Sequence, residues 1–433
     1  MEQETGGDRV YTGTRPGAGR DRLVTLDFIR GVAVLGILYA NIVGYSEPML
    51  AAAWPGALSV PMDTGDRIAW AVQLMAIDGK MRGLFALLFG ASLALFTDAK
   101  GGELQVRRLV WLGVFGLAHY FLLFRGDILF SYAVCGLLVV AIGAHRLGAS
   151  AALAVGIVLY LLGAAFSVVP YLADLPGEKV ALLSCPDMAQ CLSAAEPESY
   201  WSQVSSALTR AEDEANVMRG SWLGIVAYNL THHGSGPFWG AYFALFESFP
   251  AMLLGIGFYR AGIFAKQDRQ AGAKPRRLLL WSIVGIVTGS ALSWPFIAWL
   301  MRTNDPLYLT FFVLLGPAQV ARLPVILGLA GVLAWLAPRV ADGWLGRRFT
   351  AAGRMAFSNY IGTSLIMAIV FQGWGFGLFG TFGRLDMMVP VLLGWAVMLA
   401  WSYPWLKRFE YGPLEWCWRC LTYGRWFSVR RVT

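Results

Sequence analysis

The chain has 433 residues, of which 57% are hydrophobic and only 14% are charged, whereas soluble domains carry about 25% charged residues. This shortfall excludes a soluble globular protein and makes membrane lipids the expected surroundings. The net charge of +8 comes mostly from short segments between apolar runs, without the motif context of a nucleic-acid-binding module. We therefore expect no nucleic-acid partner.

The apolar runs predict the elements in chain order. Residues 1–21 are polar and rich in Gly and Arg, which predicts a disordered cytoplasmic N-terminus, and residues 22–433 are expected to form one polytopic membrane domain. A spanning helix needs about 20 mostly apolar residues. The predicted spans are residues 27–45, 66–98, 108–125, 128–144, 150–170, 237–262, 278–301, 308–337, 355–380 and 387–406. The fold class is thus an all-α integral membrane protein of about ten transmembrane helices.

Two of these helices are expected to be interrupted. Predicted helix 2 contains the charged run 78–82 (DGKMR), which favours an amphipathic segment followed by a short spanning helix. Predicted helix 8 contains Gly316-Pro317, and proline removes a backbone donor and kinks a helix. Interrupted helices occur in secondary transporters, but there they usually occupy corresponding positions in two repeats. Helices 2 and 8 do not correspond in a five-plus-five arrangement, which weakens a transporter interpretation.

Basic residues set the predicted orientation. With both ends of the chain inside, the cytoplasmic segments carry 24 Lys and Arg and the external loops carry six. This asymmetry follows the positive-inside rule and predicts an N-in/C-in, multi-pass protein of the bacterial inner membrane. Residues 171–236 then form a long periplasmic loop, with a polar, helix-compatible stretch at 199–216, and residues 407–433 a cytoplasmic tail. The many glycines also suit close helix packing, so a homodimer is compatible with the sequence.

Cysteines and histidines give no metal motif. Cys185 and Cys191 fall in the predicted periplasmic loop, where oxidising conditions permit a disulfide. Cys417 and Cys420 form a CxxC in a Trp-rich tail, and His232-His233 has no companion ligands nearby in sequence. We predict no metal site.

Ionisable side chains inside the bilayer are costly and usually mark a function or a buried pair. Glu247 lies about ten residues into its helix, roughly 15 Å deep. Two interpretations remain open: a general base or proton carrier, or a neutral or paired carboxyl that locks the helix beside Pro250. His119 lies equally deep in predicted helix 3. Asp127 follows in a tight turn, where it either caps the next helix or orients His119 across the hairpin.

The remaining intramembrane charges are expected to lie near the helix ends. Asp78, Lys80 and Arg82 open the short spanning part of helix 2 and either snorkel to the interface or line a polar cavity facing the periplasm. Arg30 follows Asp27 by about one turn, so an ion pair between them is the simplest account. Arg322 has no obvious partner in sequence, which makes it a candidate for binding an anionic ligand.

Several motifs resemble the YeiB-like family of bacterial membrane proteins, a domain of unknown function. They occur in order along nearly the whole chain: residues 26–38 (LDFIRGVAVLGIL) with Asn41, 78–90 (DGKMRGLFALLFG), 126–133 (GDILFSYA), 353–360 (GRMAFSNY) and 412–419 (GPLEWCWR).

The same pattern distantly resembles membrane acyltransferases of the heparan-glucosaminide N-acetyltransferase type, which pass an acetyl group from cytoplasmic acetyl-CoA to a sugar amine on the far side. This resemblance implies that Asn41 and Asp78 match two of their functional positions. Their catalytic histidine precedes that aspartate, where this chain has Ile68, Ala69 and Trp70. His119 would have to replace the missing base.

This resemblance and the buried polar residues lead to a functional hypothesis. An acyl-CoA donor, with no other cofactor, would pass its acyl group to a hydroxyl or amine of an envelope glycan, lipid or small molecule at the periplasmic side. Its predicted catalytic residues are Asn41, Asp78, His119, Asp127 and Glu247. Its predicted anion-binding residues are Arg30, Lys80, Arg82, Arg107, Arg108, Arg322 and Arg354. The alternative is a transporter or lipid-handling protein in which the same groups line a substrate path.

Overall fold

The computed structural model describes residues 24–184, 188–193, 196–197, 199–264 and 273–431. The N-terminal segment predicted to be disordered, and Cys185, lie outside these residues. The α-helices are α1 (Val24–Ser46), α2 (Thr64–Ala76), α3 (Lys80–Lys100), α4 (Gly102–Leu122), α5 (Leu129–Ala141), α6 (Ala149–Ser184), α7 (Met188–Ser193), α8 (Tyr200–Met218), α9 (Trp222–His232), α10 (Gly236–Arg260), α11 (Ala273–Thr303), α12 (Leu307–Leu315), α13 (Pro317–Val340), α14 (Trp344–Arg354), α15 (Ala356–Phe371), α16 (Met388–Arg408) and α17 (Pro413–Tyr423). Short 3₁₀ turns and one isolated bridge, between Phe409 and Arg430, add to them.

The described helices make the chain a multi-pass membrane protein. Seven segments are long and apolar enough to cross a bilayer, and counting the pair α14–α15, bent by 83°, as one span gives eight. The seven segments are Val24–Ser46, Thr64–Lys100, Ala149–Ser184, Gly236–Arg260, Arg276–Thr303, Leu307–Val340 and Met388–Arg408.

Two predicted spans account for the difference from ten. Predicted span 108–125 corresponds to α4, which carries Glu103, Arg107 and Arg108 in its first two turns. Predicted span 128–144 corresponds to α5, which has 13 residues and is therefore only about 20 Å long. The two helices form a hairpin, and neither has a long uncharged apolar stretch of its own.

A helix break lies at each of the two predicted positions. Between α2 and α3, Gly79 has a φ of 70°, a left-handed conformation that favours glycine. A side chain there would also meet the guanidinium of Arg322. Pro317 is the first residue of α13, a position where its missing N–H costs no helical hydrogen bond, and α12 ends just before it. The backbone properties of Gly79 and Pro317 therefore determine where the two helices are interrupted.

The bundle is held together by glycines at helix crossings. The Cα atoms of Gly90 in α3 and Gly255 in α10 face the backbone of the opposite helix, at Met252 and Leu87 respectively. Gly31 of α1 and Gly353 of α14 make a similar crossing. Small residues let helices approach closely, which replaces the hydrophobic driving force that is missing between helices in lipid.

The bundle has two ends that differ in structure. At the terminal face, α1 begins, α16 ends, and α17 packs beside the start of α4, where Trp418 donates a hydrogen bond to the Arg108 carbonyl. At the opposite end, the cap face, α8 and α9 cover the turn between α4 and α5, and α7 packs against α8. Asn229 and Trp222 donate there to the carbonyls of Phe121 and Leu122.

The predicted periplasmic loop 171–236 is largely helical in the described residues. Helix α6 continues through Pro170 and Pro176 to Ser184. The stretch expected to be helix-compatible forms α8, where the Ser199 side chain caps the helix by accepting from the Ser202 N–H. Cys191 is disulfide-bonded. The cap face is therefore an ordered helical layer.

Candidate functional site

His119 and Asp127 form a buried pair at the hairpin between α4 and α5. His119 Nδ1 lies 2.8 Å from Asp127 Oδ1, and the two side chains are 0% and 1% exposed. The other carboxylate oxygen accepts from the backbone N–H of Phe130 at 2.8 Å. Asp127 therefore both caps α5 and orients the imidazole, so the two roles left open by the sequence occur together.

The second ring nitrogen of His119, Nε2, is free to accept a proton. Among the described residues, no hydrogen-bond partner reaches His119 Nε2, although the atom is buried. A carboxylate on one ring nitrogen fixes the orientation and tautomer of a histidine and leaves the other nitrogen to accept a proton. The pair thus has the arrangement of a general base.

Aromatic rings surround the imidazole. The Tyr360 ring lies 5.0 Å from the His119 ring, and the Phe124 ring lies 6.2 Å away on another side. Tyr45 stacks on Phe124 at 3.9 Å and shares a 2.6 Å hydrogen bond with Ser364. These rings separate His119 from the spaces at the two ends of the bundle.

A cavity of about 170 Å³ extends from the terminal face to Tyr360. Three of the seven predicted anion-binding residues, Arg30, Arg108 and Arg354, line it. Its lining includes Ile128, Leu129, Tyr132 and Tyr360, so the Tyr360 ring borders the cavity and also lies beside the His119 ring. The volume suits a narrow chain rather than a whole nucleotide.

The charged side chains at the cavity mouth are held in place by contacts with neighbouring residues. The Arg108 guanidinium lies between the Phe96 and Trp418 rings, at 4.8 and 4.5 Å. Arg30 donates to Asp27 at 2.9 Å and to Ser92, so the predicted Arg30–Asp27 ion pair is present. Glu415 accepts from the N–H groups of residues 357 and 358 and caps the start of α15. Arg107 does not line this cavity.

The charged side chains at the start of α3 form a second group, separate from the cavity at the terminal face. Arg322 and Asp78 are 3.9 Å apart, so the arginine without an obvious sequence partner has one across the bundle. Lys80 is 1% exposed and donates to the Leu74 carbonyl. These three side chains are held by protein groups rather than by contacts to the cavity at the terminal face.

Glu247 and Arg82 form an ion pair between α10 and α3. Arg82 donates to Glu247 Oε2 at 2.8 Å, and the Arg82 side chain remains 43% exposed. Among the described residues, no partner reaches Glu247 Oε1. The Tyr132 hydroxyl donates to the Arg82 carbonyl at 2.8 Å and also lines the cavity. Tyr132 thus connects this pair with the cavity.

Asn41 lies in the second half of α1. It precedes Tyr45 by one helical turn and therefore shares its face. Its side-chain nitrogen is buried, and no described residue accepts from it. The other four predicted catalytic residues fall into three groups: His119 with Asp127, Glu247 with Arg82, and Asp78 with Arg322.

Sequence reasoning missed the tyrosines that connect these groups. Tyr45, Tyr132 and Tyr360 lie around His119 and the cavity. Tyr132 and Tyr360 do occur in the segments 126–133 and 353–360 that carry the family resemblance, which is the signal that singles them out. Among the described residues, no group of three or more His, Cys, Asp or Glu is placed to hold a metal ion.

Comparisons with known proteins find similarity to uncharacterized bacterial proteins. Residues 258–425 match a family described as protein of unknown function DUF418. The chain is 28% identical to the uncharacterized protein YeiB of Escherichia coli K12, over 93% of this chain and 96% of that protein. It is 25% identical to the uncharacterized protein YxaH of Bacillus subtilis 168, over 97% and 98% of the two chains. No solved structure matches significantly. The predicted resemblance to the YeiB-like family is confirmed.

Proposed function

We propose that this YeiB-like membrane protein is an acyltransferase of the bacterial inner membrane with both ends in the cytoplasm. The hairpin of α4 and α5 would add two crossings to the eight apolar spans, which gives ten. An acyl-CoA would enter at the terminal face, and a hydroxyl or amine acceptor would approach from the periplasmic cap face. The proposal is carried by one observation: a carboxylate-oriented histidine with a free ring nitrogen lies one tyrosine ring beyond a cavity whose mouth carries three arginines.

The chemistry assigned to His119 is general base catalysis. Nε2 takes the proton of the acceptor hydroxyl or amine as its oxygen or nitrogen attacks the thioester carbonyl carbon. The new C–O or C–N bond forms, the C–S bond breaks, and the proton passes to the CoA sulfur. Asp127 stabilises the imidazolium in between, as a carboxylate does in hydrolytic triads. The unpartnered Asn41 amide is the candidate donor to the oxyanion.

The position of the arginines supports a donor with phosphates. Arg30, Arg108 and Arg354 lie at the mouth, where guanidinium groups suit phosphate oxygens. The pantetheine and acyl part of acyl-CoA would then lie in the narrow cavity and extend toward Tyr360. Tyr360 has to turn away from His119 for the thioester to reach Nε2, so we assign it the role of a gate between cavity and base.

The neighbouring arginines Arg107 and Arg108 offer a matched test of donor binding. Arg108→Gln is expected to weaken acyl-CoA binding by about 10- to 100-fold, because a charge-assisted hydrogen bond contributes about 1.5–3 kcal/mol. Arg107→Gln, outside the cavity, should bind as the wild type does. Binding of radiolabelled acyl-CoA to protein in lipid nanodiscs measures both, and Arg30→Gln provides a second variant if Arg108→Gln unfolds. Absence of acyl-CoA binding by the wild type would remove the proposal.

The second candidate is a proton-coupled transporter, favoured by Glu247. Its carboxylate lies near the middle of α10, and one oxygen has no partner among the described residues, as expected of a group that exchanges a proton. In that case Glu247→Gln should abolish proton uptake into proteoliposomes, whereas Glu410→Gln, at the terminal face, should not. Equal uptake by wild type and Glu247→Gln would count against this function.

A further inference from the structure

A large cavity lies at the cap face, away from the arginine-lined one. It has a volume of about 1110 Å³ and lies between α8, α9 and the start of α12. Sites for small molecules commonly measure about 300–1,000 Å³, so this space has room for a ligand of several rings. The helices that build two of its walls, α8 and α9, belong to the segment expected to be a periplasmic loop.

The charges of this cavity are balanced. Arg210 and Asp213 lie on its α8 wall as one cation and one anion. Glu214, also in the wall, forms an ion pair with Arg125 beneath it and accepts from the Met49 N–H at 3.0 Å. Burial, and then the nearby Arg125, lower the pKa of His233, which favours the neutral imidazole. No excess of positive charge is present to bind a phosphate or sulfate.

Polar and aromatic groups alternate around the cavity. Ser202, Gln203 and Ser206 offer hydroxyl and amide groups on α8. Tyr228 and Tyr308 provide ring faces, and Tyr308 donates through its hydroxyl to Gln203. Tyrosine combines an apolar ring with a polar tip. Rings pack against the C–H faces of a sugar, while planar amide and carboxylate groups pair with its hydroxyls, so this lining suits a neutral polyhydroxylated ligand.

The cavity leads toward His119. Glu214 lines both this cavity and a gap of about 20 Å³ whose other walls include Tyr45 and Phe124. Phe124 is the ring beside His119. A ligand held in the cap cavity is therefore separated from the histidine by the Arg125–Glu214 pair and the stacked pair of Tyr45 and Phe124.

We infer that the cap cavity is a binding site for a neutral oligosaccharide or saccharide headgroup, with Asp213 and Tyr228 as principal contacts. This inference deepens the proposed function, since the bound saccharide would be the acyl acceptor. Saccharide binding in the cap cavity does not depend on acyl transfer, so it is measured in a separate experiment.

Maltotriose is a suitable neutral probe for protein held in nanodiscs, where no glycoside detergent competes. Saturable binding is expected by calorimetry. Asp213→Asn and Tyr228→Ala should each weaken it about tenfold, because the first replaces a charge-assisted hydrogen bond by a neutral one and the second removes the ring. Glu212→Gln, the neighbour of Asp213 that lies outside the lining, should bind as the wild type does. Unfolding temperatures of all variants show whether a loss reflects misfolding, and Gln203→Ala replaces any variant that unfolds.

Three results would overturn the inference. The first is absence of maltotriose binding by the wild type. The second is binding of maltotriose by Asp213→Asn and Tyr228→Ala as tight as by the wild type. The third is tighter binding of the polyanion inositol hexakisphosphate than of maltotriose. The result is independent of the acyl-CoA experiment. Saccharide binding without acyl-CoA binding would retain this site and reject the enzyme, and the reverse would place the acceptor elsewhere.

Discussion

Replacing His119 with glutamine is expected to lower the rate of acyl transfer by about 10²–10⁴-fold, the usual contribution of a positioned general base. Glutamine fills similar space and still pairs with Asp127, but it cannot take a proton at the position of Nε2. Acyl-CoA binding should stay unchanged, because His119 does not line the donor cavity. Release of free CoA in the presence of an acceptor measures the rate, and labelled acyl-CoA binding measures the affinity.

A second buried histidine provides the control. His145 is 6% exposed and lies in the 3₁₀ turn between α5 and α6, at the terminal face. His145→Gln should transfer the acyl group at a rate close to that of the wild type. Asp127→Asn should resemble His119→Gln, since it leaves the imidazole in the wrong tautomer. Full activity of His119→Gln would show that another group is the base.

The crossing of α3 and α10 should be sensitive to any added side chain. A Cβ at Gly255 would overlap the carbonyl of Leu87, and one at Gly90 would overlap the backbone of Met252. Backbone cannot yield as a side chain does, so Gly255→Ala and Gly90→Ala must separate the two helices. We expect at least about 1–3 kcal/mol of destabilisation, the usual cost of overpacking, seen as a lower unfolding temperature in nanodiscs.

Gly362 is the matched control for these variants. It lies within α15, and a Cβ there would meet no atom within 4 Å. Gly362→Ala should be neutral or stabilising by up to about 1 kcal/mol, because alanine favours helix more than glycine does. If Gly255→Ala and Gly362→Ala unfold at the same temperature, the close crossing of α3 and α10 is wrong.

Features set by neighbouring residues could be predicted from the sequence. The break before Lys80 follows from Gly79, the break at α13 from Pro317, and the Arg30–Asp27 pair from their helical spacing. His119 and Asp127 could also be paired in advance, because a tight hairpin returns the chain to the same depth in the membrane.

Features that depend on helix order in space could not be predicted. Arg82 and Glu247 are 165 positions apart, and Tyr45 and Ser364 are 319 apart; hydropathy does not say which helices are neighbours. The same applies to Arg30, Arg108 and Arg354, which come from α1, α4 and α14. At the cap face, the sequence indicated the helix α8 but not its packing over the hairpin of α4 and α5, since a polar segment between spans has no membrane signal of its own.

The proposed acyl transfer across the membrane is tested most directly by supplying acyl-CoA on one side of the membrane at a time. Protein is inserted in one orientation into proteoliposomes that contain an acceptor saccharide, and labelled acyl-CoA is supplied either at the terminal face or at the cap face. Labelled acceptor is expected only when acyl-CoA is at the terminal face, where Arg30, Arg108 and Arg354 line the cavity. Equal labelling from both faces, or labelling only from the cap face, would contradict it.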